Sequence, residues 1–162
     1  MRVSYLGPKG SFSEIALLNY FDSSAKSVPV PSIADVFESI EKKESDYGII
    51  PIENSIEGSI NNTHDLLLNS NVIITGEIEL LINQCLLSKD NSIENMKILY
   101  AHPQSLGQCQ NYIRINLPDV EILPVISNSE GAKMVVNSEE GCIGSEKLST
   151  DYGLNIIDSG IQ

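Results

Sequence analysis

The fold is first visible in residues 2–21, RVSYLGPKGSFSEIALLNYF. The first residues of this stretch favour a short strand, and the Gly-Pro-Lys-Gly sequence of residues 7–10 ends it. Ser11 and Glu14 then have the spacing of a capping box, so a helix is expected to begin at Ser11. Apolar residues at helical spacing follow and give this helix one buried face. The stretch therefore predicts a β-strand, a tight turn and a helix.

The same pattern recurs along the chain. Further strands are predicted near residues 27–30, 47–52, 98–100, 120–124, 141–145 and 154–157, and further helices from Ser32, Ser59, Pro103 and Ser129. Helices that alternate with strands in this way are typical of parallel sheets covered by helices. The order of elements predicts the α/β fold class.

Residues 72–88 interrupt this alternation. They form a long, apolar, β-rich run with Gly76 inside it, which we interpret as two long strands that cross from one lobe to another. The chain is therefore expected to have two α/β lobes with a cleft between them. We place the first lobe at residues 1–77 and the second at residues 78–159.

Composition limits the classes of partner. The 162 residues carry a formal net charge of −12, with a pI near 4.4. Nucleic acid is not an expected partner, because its phosphates need clusters of Lys and Arg. No apolar run approaches the roughly 20 residues of a membrane span, and the N-terminus lacks the apolar core of a signal peptide. We expect a cytoplasmic protein without a membrane partner.

Three cysteines, Cys85, Cys109 and Cys142, lie far apart and lack the spacing of metal ligands. Buried, unreactive thiols in a reducing compartment are expected. The chain also lacks the glycine-rich motifs that bind phosphates of nucleotides. The sequence therefore indicates neither a metal site nor a nucleotide site.

Several predicted strands run directly into a short polar turn that also begins a helix. These turns lie at residues 10–13, 54–57, 103–105, 128–130 and 145–146. Ligands of open α/β sheets bind at the carboxyl ends of strands, and helix N-termini there bind anions through unpaired N–H groups. With only two arginines in the sequence, a small carboxylate would be held largely in this way. Ordinary helix capping is the simpler interpretation of any single turn.

Other polar residues permit two interpretations. His102 follows a predicted strand and precedes a proline, so it suits either a general acid or a structural role in the turn. His64 is expected on the surface of a helix. Glu53 and Glu57 flank Asn54 at a spacing that suits a cap and a surface charge as well as an acid–base pair. The residues alone indicate a two-lobed α/β protein that binds a small anionic ligand.

Four ordered motifs resemble those of the prephenate dehydratase family. Residues 5–13 are similar to the family's Tyr-Leu-Gly-Pro-x-Gly-Thr-Phe-Ser, and residues 46–60, DYGIIPIENSIEGSI, match its most characteristic block. Residues 102–109, HPQSLGQC, resemble the family's His-Pro-Gln-Ala-Leu-x-Gln-Cys. At residues 127–132 the family commonly has Ser-Thr-x-x-Ala, from which Asn128 departs. The resemblance extends over essentially the whole chain.

The resemblance implies a two-lobed α/β fold like that of type II periplasmic binding proteins, with the active site in the cleft between the lobes. It also implies the conversion of prephenate to phenylpyruvate in phenylalanine biosynthesis, without a metal or an organic cofactor. Residues 160–162 would begin a return to the first lobe. The family's catalytic threonine, in a Thr-Arg-Phe motif, and an ACT domain that senses phenylalanine are expected after Gln162. The chain is therefore interpreted as truncated and as inactive alone, and the full-length protein as a homo-oligomer.

The resemblance assigns substrate contacts to six polar residues at the turns. They are first Asn54, Ser55 and Gln104, followed by Ser11, Ser13 and Asn128 as donors at their helix starts. No catalytic residue is assigned within the chain. Two alternatives remain open: a non-catalytic domain that binds or senses a small carboxylate, and an arogenate dehydratase.

Overall fold

The computed structural model describes residues 1–21, 24–55 and 58–162, which divide into two compact units. The first unit comprises Met1–Leu80 and the second Leu81–Gln162. Each unit has its own sheet and its own hydrophobic core. None of the helices in these described ranges combines the length and apolar character that a membrane crossing requires.

In the first unit, three parallel strands alternate with helices. The elements in chain order are β1 (Arg2–Leu6), α1 (Phe12–Tyr20), β2 (Lys26–Val30), α2 (Ile33–Glu41), β3 (Tyr47–Ile49), β4 (Glu53–Asn54), β5 (Gly58–Ser59) and α3 (Asn61–Asn69). The parallel sheet has the order β2-β1-β3, and β4 and β5 form a separate antiparallel pair. The strand, turn and helix predicted from residues 2–21 are confirmed.

Buried apolar side chains hold the helices of this unit against its sheet. Val3 and Tyr5 lie on the same face of β1, since side chains alternate along a strand, and pack with Leu17 of α1. Gly48 lets α2 approach β3 closely, because a Cβ at this position would lie 2.5 Å from Val36 Cγ1 and 2.8 Å from Ile40 Cδ1. The sheet is therefore packed by α1 and α2.

The first unit also contains a mainly apolar cavity of about 710 Å³. Its walls include Phe37 and Ile40 of α2, Ile49 of β3, and residues 71–78, which follow α3. The Asn71 N–H donates a hydrogen bond of 3.4 Å to Glu41 of α2. The chain after α3 therefore lies beside α2 without adding a strand to the sheet.

The second unit contains a five-stranded mixed sheet. Its elements are β6 (Cys85–Ser88), β7 (Ile98–Ala101), α4 (Pro103–Gln108), α5 (Gln110–Asn116), β8 (Glu121–Pro124), α6 (Asn128–Met134), β9 (Glu140–Gly144), α7 (Glu146–Tyr152) and β10 (Asn155–Ser159). The strand order is β10-β6-β9-β7-β8. Strands β7, β8 and β9 are parallel, whereas β6 is antiparallel to both of its neighbours.

Helices cover both faces of this sheet. Leu86, Leu99 and Ile143 belong to one core cluster, which also contains Ile113 of α5. The residues next to them in sequence point the other way and join a second cluster around Ala132 of α6. Two apolar layers on one sheet give the second unit a larger core than the first.

The expectation for residues 72–88 was wrong. Only Cys85–Ser88 forms a strand, and residues 71–84 have neither helix nor ladder. An apolar, β-branched run reports only that a strand would be favourable, whereas a strand also needs a neighbour with which to form hydrogen bonds. The expectation of wholly parallel sheets was also wrong for β6, whose direction does not follow from strand–helix alternation.

The region after β3 also differs from the expectation. The strand predicted at residues 47–52 ends at Ile49, ahead of Pro51, which has no N–H for a ladder. Asn54 does not begin a helix. It pairs with Gly58 in the β4–β5 hairpin, because Asn and Ser favour tight turns as well as helix caps. The predicted turn at residues 54–57 includes Ile56 and Glu57, which lie outside the described residues, as does any role of Glu57.

Candidate functional site

Polar residues of the second unit meet at one edge of its sheet. Strands β7 and β8 are parallel, so the turns that follow them, β7–α4 and β8–α6, lie at the same edge. Strand β6 is antiparallel to β9 and pairs Cys85 with Gly144 at the end of β9. The residue before β6, Gln84, therefore lies at this edge as well.

The two turns are joined by side-chain hydrogen bonds. The carboxamide oxygen of Asn128 accepts the His102 N–H at 2.9 Å, and its Nδ2 donates to Ser105 Oγ at 2.7 Å. Because a backbone N–H only donates, the oxygen of Asn128 must face His102 and its nitrogen must face Ser105. This pair of bonds fixes both the position and the orientation of the Asn128 amide.

His102 caps the short helix α4. Its Nδ1 accepts the backbone N–H of Gln104 at 3.2 Å, so the neutral ring carries its proton on Nε2. Two roles were expected for His102, and this bond is evidence for the structural role in the turn. The side chain of Gln104 is exposed in the first turn of α4.

Gln84 is joined to these residues by hydrogen bonds to helix α4. Its side chain is 2% exposed, and its Nε2 donates to Ser105 Oγ at 3.3 Å and to Gln108 Oε1 at 3.0 Å. Its own Oε1 has no hydrogen-bond partner among the described residues. One carboxamide therefore links the chain before β6 to two residues on one face of α4.

The β1–α1 turn of the first unit is held in a similar way. Ser11 caps α1 by accepting the Glu14 N–H at 3.3 Å, and its hydroxyl donates to the Leu6 carbonyl at 3.1 Å. The buried Glu14 carboxylate accepts the Tyr5 O–H at 3.1 Å and the Gly10 N–H at 2.7 Å. The Ser11 oxygen therefore acts as the expected helix cap, and its hydroxyl proton is engaged separately by Leu6. Ser13 lies half-buried in the first turn of α1.

Asn54 and Ser55 lie at the tip of the β4–β5 hairpin. Asn54 is half-buried and Ser55 is exposed. Behind the hairpin, the buried Thr63 of α3 donates its hydroxyl to the Pro51 carbonyl at 2.7 Å. The helix that follows thus anchors the base of the hairpin that presents these two residues.

The six predicted contact residues therefore fall into three places. Ser11 and Ser13 share the β1–α1 turn, and Asn54 and Ser55 share the hairpin, all within the first unit. Gln104 and Asn128 belong to the two joined turns of the second unit. Their roles in binding stay predictions.

Sequence reasoning missed Gln84 and the hydrogen-bonding roles of Ser105 and Gln108. It placed Glu14 in a capping box with Ser11, but not the bonds of its carboxylate to Tyr5 and Gly10. Gln84 precedes a strand whose antiparallel direction was not foreseen, so its place at this edge could not be inferred. Ser105 and Gln108 stand inside a quoted motif, three residues apart on a helix, and that spacing was a usable signal of a shared face.

The three free thiols are buried in the core of the second unit. Desolvation by burial raises the pKa of Cys109 and of Cys142 to about 12 and also raises the pKa of Cys85. A thiol reacts as a nucleophile through its thiolate form. The expectation of buried, unreactive cysteines thus has both burial and pKa in its favour.

Comparison with known proteins adds to this geometry. A family model described as prephenate dehydratase matches residues 3–162. A bifunctional chorismate mutase/prephenate dehydratase of Aquifex aeolicus is 41% identical over 163 residues, covering 100% of this chain and 45% of that protein. A prephenate dehydratase of Methanocaldococcus jannaschii is 40% identical over 167 residues, covering 99% of this chain and 59% of that protein.

A solved structure shows the same likeness. The prephenate dehydratase from Staphylococcus aureus superposes with a TM-score of 0.87 at 32% identity, over 100% of this chain and 61% of that chain. The chain spans about half the length of the relatives it matches, 45% and 59% of the two above. The likeness confirms the α/β fold class that the motifs imply. With a family model that matches 160 of its 162 residues, 3–162, this chain belongs to the prephenate dehydratase family.

Proposed function

We propose that the protein catalyses the prephenate dehydratase reaction. In this reaction prephenate loses its ring carboxylate as carbon dioxide and its ring hydroxyl group as water, and phenylpyruvate remains. The observation that carries the proposal is the family match over residues 3–162. The activity is proposed for the whole protein. The Aquifex aeolicus relative is about twice as long as this chain.

The reaction makes modest chemical demands. Formation of the aromatic ring drives it, so the protein must hold a dianion and help hydroxide leave as water. A positioned acid typically contributes about 10²–10⁴-fold to such a step, and correct orientation contributes more. Uncharged donors can hold a carboxylate without neutralising its negative charge, which the reaction transfers to the departing hydroxide. The carboxamides and hydroxyl groups of the site are donors of this kind.

We assign the substrate contacts to the six residues of these three places. Asn54, Ser55 and Gln104 are the primary contacts, and the exposure of Ser55 and Gln104 to solvent leaves both side chains accessible to a ligand. Asn128 contributes from its fixed amide. Of the two serines near the start of α1, Ser13 is the better donor, because the Ser11 hydroxyl proton is bonded to Leu6.

We further propose that turnover needs residues beyond these 162. The family's catalytic threonine stands in a motif that this sequence does not contain. The present chain would then bind prephenate and leave it unreacted. Location in the cytoplasm, self-association of the whole protein and its response to phenylalanine are part of the same proposal.

The test is formation of phenylpyruvate from prephenate, followed by absorbance. The chain should be inactive, and a form extended through the Thr-Arg-Phe motif should be active. In the extended form, Asn54→Ala and Gln104→Ala should lower kcat/KM by about tenfold or more, the loss expected when a hydrogen bond to a charged group is removed. The exposed Asn95 and Gln110 provide matched controls, and Asn95→Ala and Gln110→Ala should leave kcat/KM unchanged.

Each alternative has its own outcome. Arogenate turned over faster than prephenate would make the protein an arogenate dehydratase. Binding of prephenate without turnover in either form would identify a carboxylate sensor. Rapid turnover by the 162-residue chain itself would contradict the proposal that further residues are required.

A further inference from the structure

Gln84 is a buried carboxamide of which only one end is used. It is 2% exposed, its Nε2 donates to Ser105 and Gln108, and its Oε1 has no partner within the described part of the chain. Exchanging the oxygen and nitrogen of the amide would move the unpartnered atom without removing it. A buried polar atom without a partner is unfavourable, and an apolar side chain of the same shape would avoid it. The polar group at this position is therefore explained by the contacts of its other end.

Those contacts determine the state of Ser105. The Ser105 oxygen has two lone pairs, and it receives one N–H from Asn128 at 2.7 Å and one from Gln84 at 3.3 Å. Both lone pairs are then occupied, which holds the hydroxyl group in one orientation. Because the Asn128 amide is bonded to His102 at its other end, Gln84 acts on the β8–α6 turn through Ser105.

Gln84 also starts from a fixed backbone. Its N–H donates to Gln162 Oε1 at 2.8 Å, and its carbonyl accepts the Ile161 N–H at 3.2 Å. The next residue, Cys85, is already in strand β6. Because the Gln84 backbone is fixed and its side chain bonds to α4, Gln84 restrains the position of this helix.

We propose that Gln84 is a positioning residue, whose amide holds the first turn of α4 and Asn128 in one arrangement at the sheet edge. The first turn of α4 presents Gln104, so Gln84 would set the relative positions of two substrate contacts without touching substrate itself. The link to substrate rests on the proposed function. The structural effect does not, and can be measured separately.

The structural effect is measured by amide hydrogen exchange with NMR detection. In Gln84→Met, which keeps the volume and loses the donor, the His102 N–H should exchange about tenfold faster or more, since the local opening that exposes it becomes easier. The side-chain NH₂ signals of Asn128 should also shift. Amides of β9 should keep their protection. Gln110→Met, at an exposed glutamine, is the matched control and should change nothing.

A second variant keeps the test decisive if Gln84→Met does not fold. Gln84→Asn retains the carboxamide but is one methylene too short to reach both Ser105 and Gln108, so it should loosen His102 in the same direction. Wild-type exchange at His102 together with unshifted Asn128 signals, in either folded variant, would overturn the positioning role.

Calorimetric titration with prephenate tests the link to substrate. In the form extended through the Thr-Arg-Phe motif, Gln84→Met should raise the Kd for prephenate about fivefold or more, and Gln110→Met should not, as expected for lost pre-organisation. Faster exchange at His102 with an unchanged Kd would overturn this link. Failure of the wild-type protein to bind prephenate would count against the proposed function, whereas the exchange data would still decide the role of Gln84.

Discussion

Ser105 and Asn128 form one of the shortest side-chain contacts of the second unit, at 2.7 Å. They are also two positions at which the sequence departs from the family's motifs, which have Ala and commonly Thr there. An alanine offers no acceptor to an amide, and a threonine is too short to reach from His102 to Ser105. The contact therefore needs both Ser105 and Asn128.

We expect these two residues to be energetically coupled. Ser105→Ala leaves a partly buried N–H of Asn128 without its acceptor and should lower the free energy of unfolding by about 1–2 kcal/mol. Asn128→Thr should be similarly destabilising. The double variant should lose about 0.5–1.5 kcal/mol less than the sum, because the shared hydrogen bond is lost only once. Urea unfolding of the four proteins measures each term.

The control for this cycle is Ser138→Ala, at an exposed serine, which should change stability by less than about 0.5 kcal/mol. Strict additivity of the two substitutions would show that the 2.7 Å contact contributes nothing to folding.

The thiols give a second prediction for single residues. With a pKa of about 12 for Cys109 and Cys142, roughly one in 10⁴ of each is ionised at pH 8. A disulfide reagent that changes colour on reaction should therefore label the native protein slowly at this pH. In urea the thiols are no longer buried and their pKa is no longer raised, so all three cysteines should react quickly. Rapid labelling of the native protein would contradict the burial of these groups.

At the scale of elements, helix starts were the most predictable feature. Ser11 and Ser32, at the predicted starts of α1 and α2, each cap a helix by accepting the N–H three residues later. Ser127 caps α6 in the same way, two residues before the start predicted at Ser129. Each is followed at that position by an acidic residue, which is the local signature of such a start. Local patterns also placed most strands of the second unit to within one or two residues.

Pairing and direction of strands were less predictable. The direction of β6, and with it the place of Gln84, depends on which strands lie next to it and not on its own residues. Likewise, residues 71–84 have strand-forming side chains but no neighbouring strand. The candidate site was therefore predictable where a turn follows a parallel strand, and not where a residue enters the site from an antiparallel one.

Close packing of α2 on β3 predicts how a substitution at Gly48 affects stability. Gly48→Ala would place a Cβ within 2.5 Å of Val36 and 2.8 Å of Ile40, so it should destabilise the protein by about 1–3 kcal/mol. Gly107 of α4 is the matched control, since a Cβ there would meet nothing within 4 Å. Gly107→Ala should be neutral or stabilise by up to about 1 kcal/mol through helix propensity. Equal urea midpoints for the two variants would contradict the close approach.

At the scale of the whole molecule, the two units differ in the size of their cores. The second has a five-stranded sheet with an apolar cluster on each face. The first has a three-stranded sheet, a cluster of three buried residues and the cavity of about 710 Å³. Less apolar surface is therefore removed from water around the sheet of the first unit.

This difference should be visible in hydrogen exchange. We expect backbone amides of β1 and β3 to exchange about tenfold faster or more than those of β6, β7 and β9, since exchange follows the local free energy of opening. Mass spectrometry of proteolytic peptides from the labelled native chain would measure both sets. Equal rates in the two sheets would instead indicate that the units open as one cooperative body.

The unpaired segment of residues 71–84 also affects solubility. Ile73, Ile74 and Leu81 are 78%, 68% and 89% exposed, and a β-branched stretch outside any ladder can add to a second molecule as a strand. At neutral pH the net charge of −12 keeps molecules apart, and this repulsion vanishes near the pI of 4.4. Light scattering should therefore rise steeply as the pH falls toward that value. Ile74→Lys should delay the rise, whereas Ile126→Lys, at an isoleucine that is 84% exposed and lies outside the segment, should not.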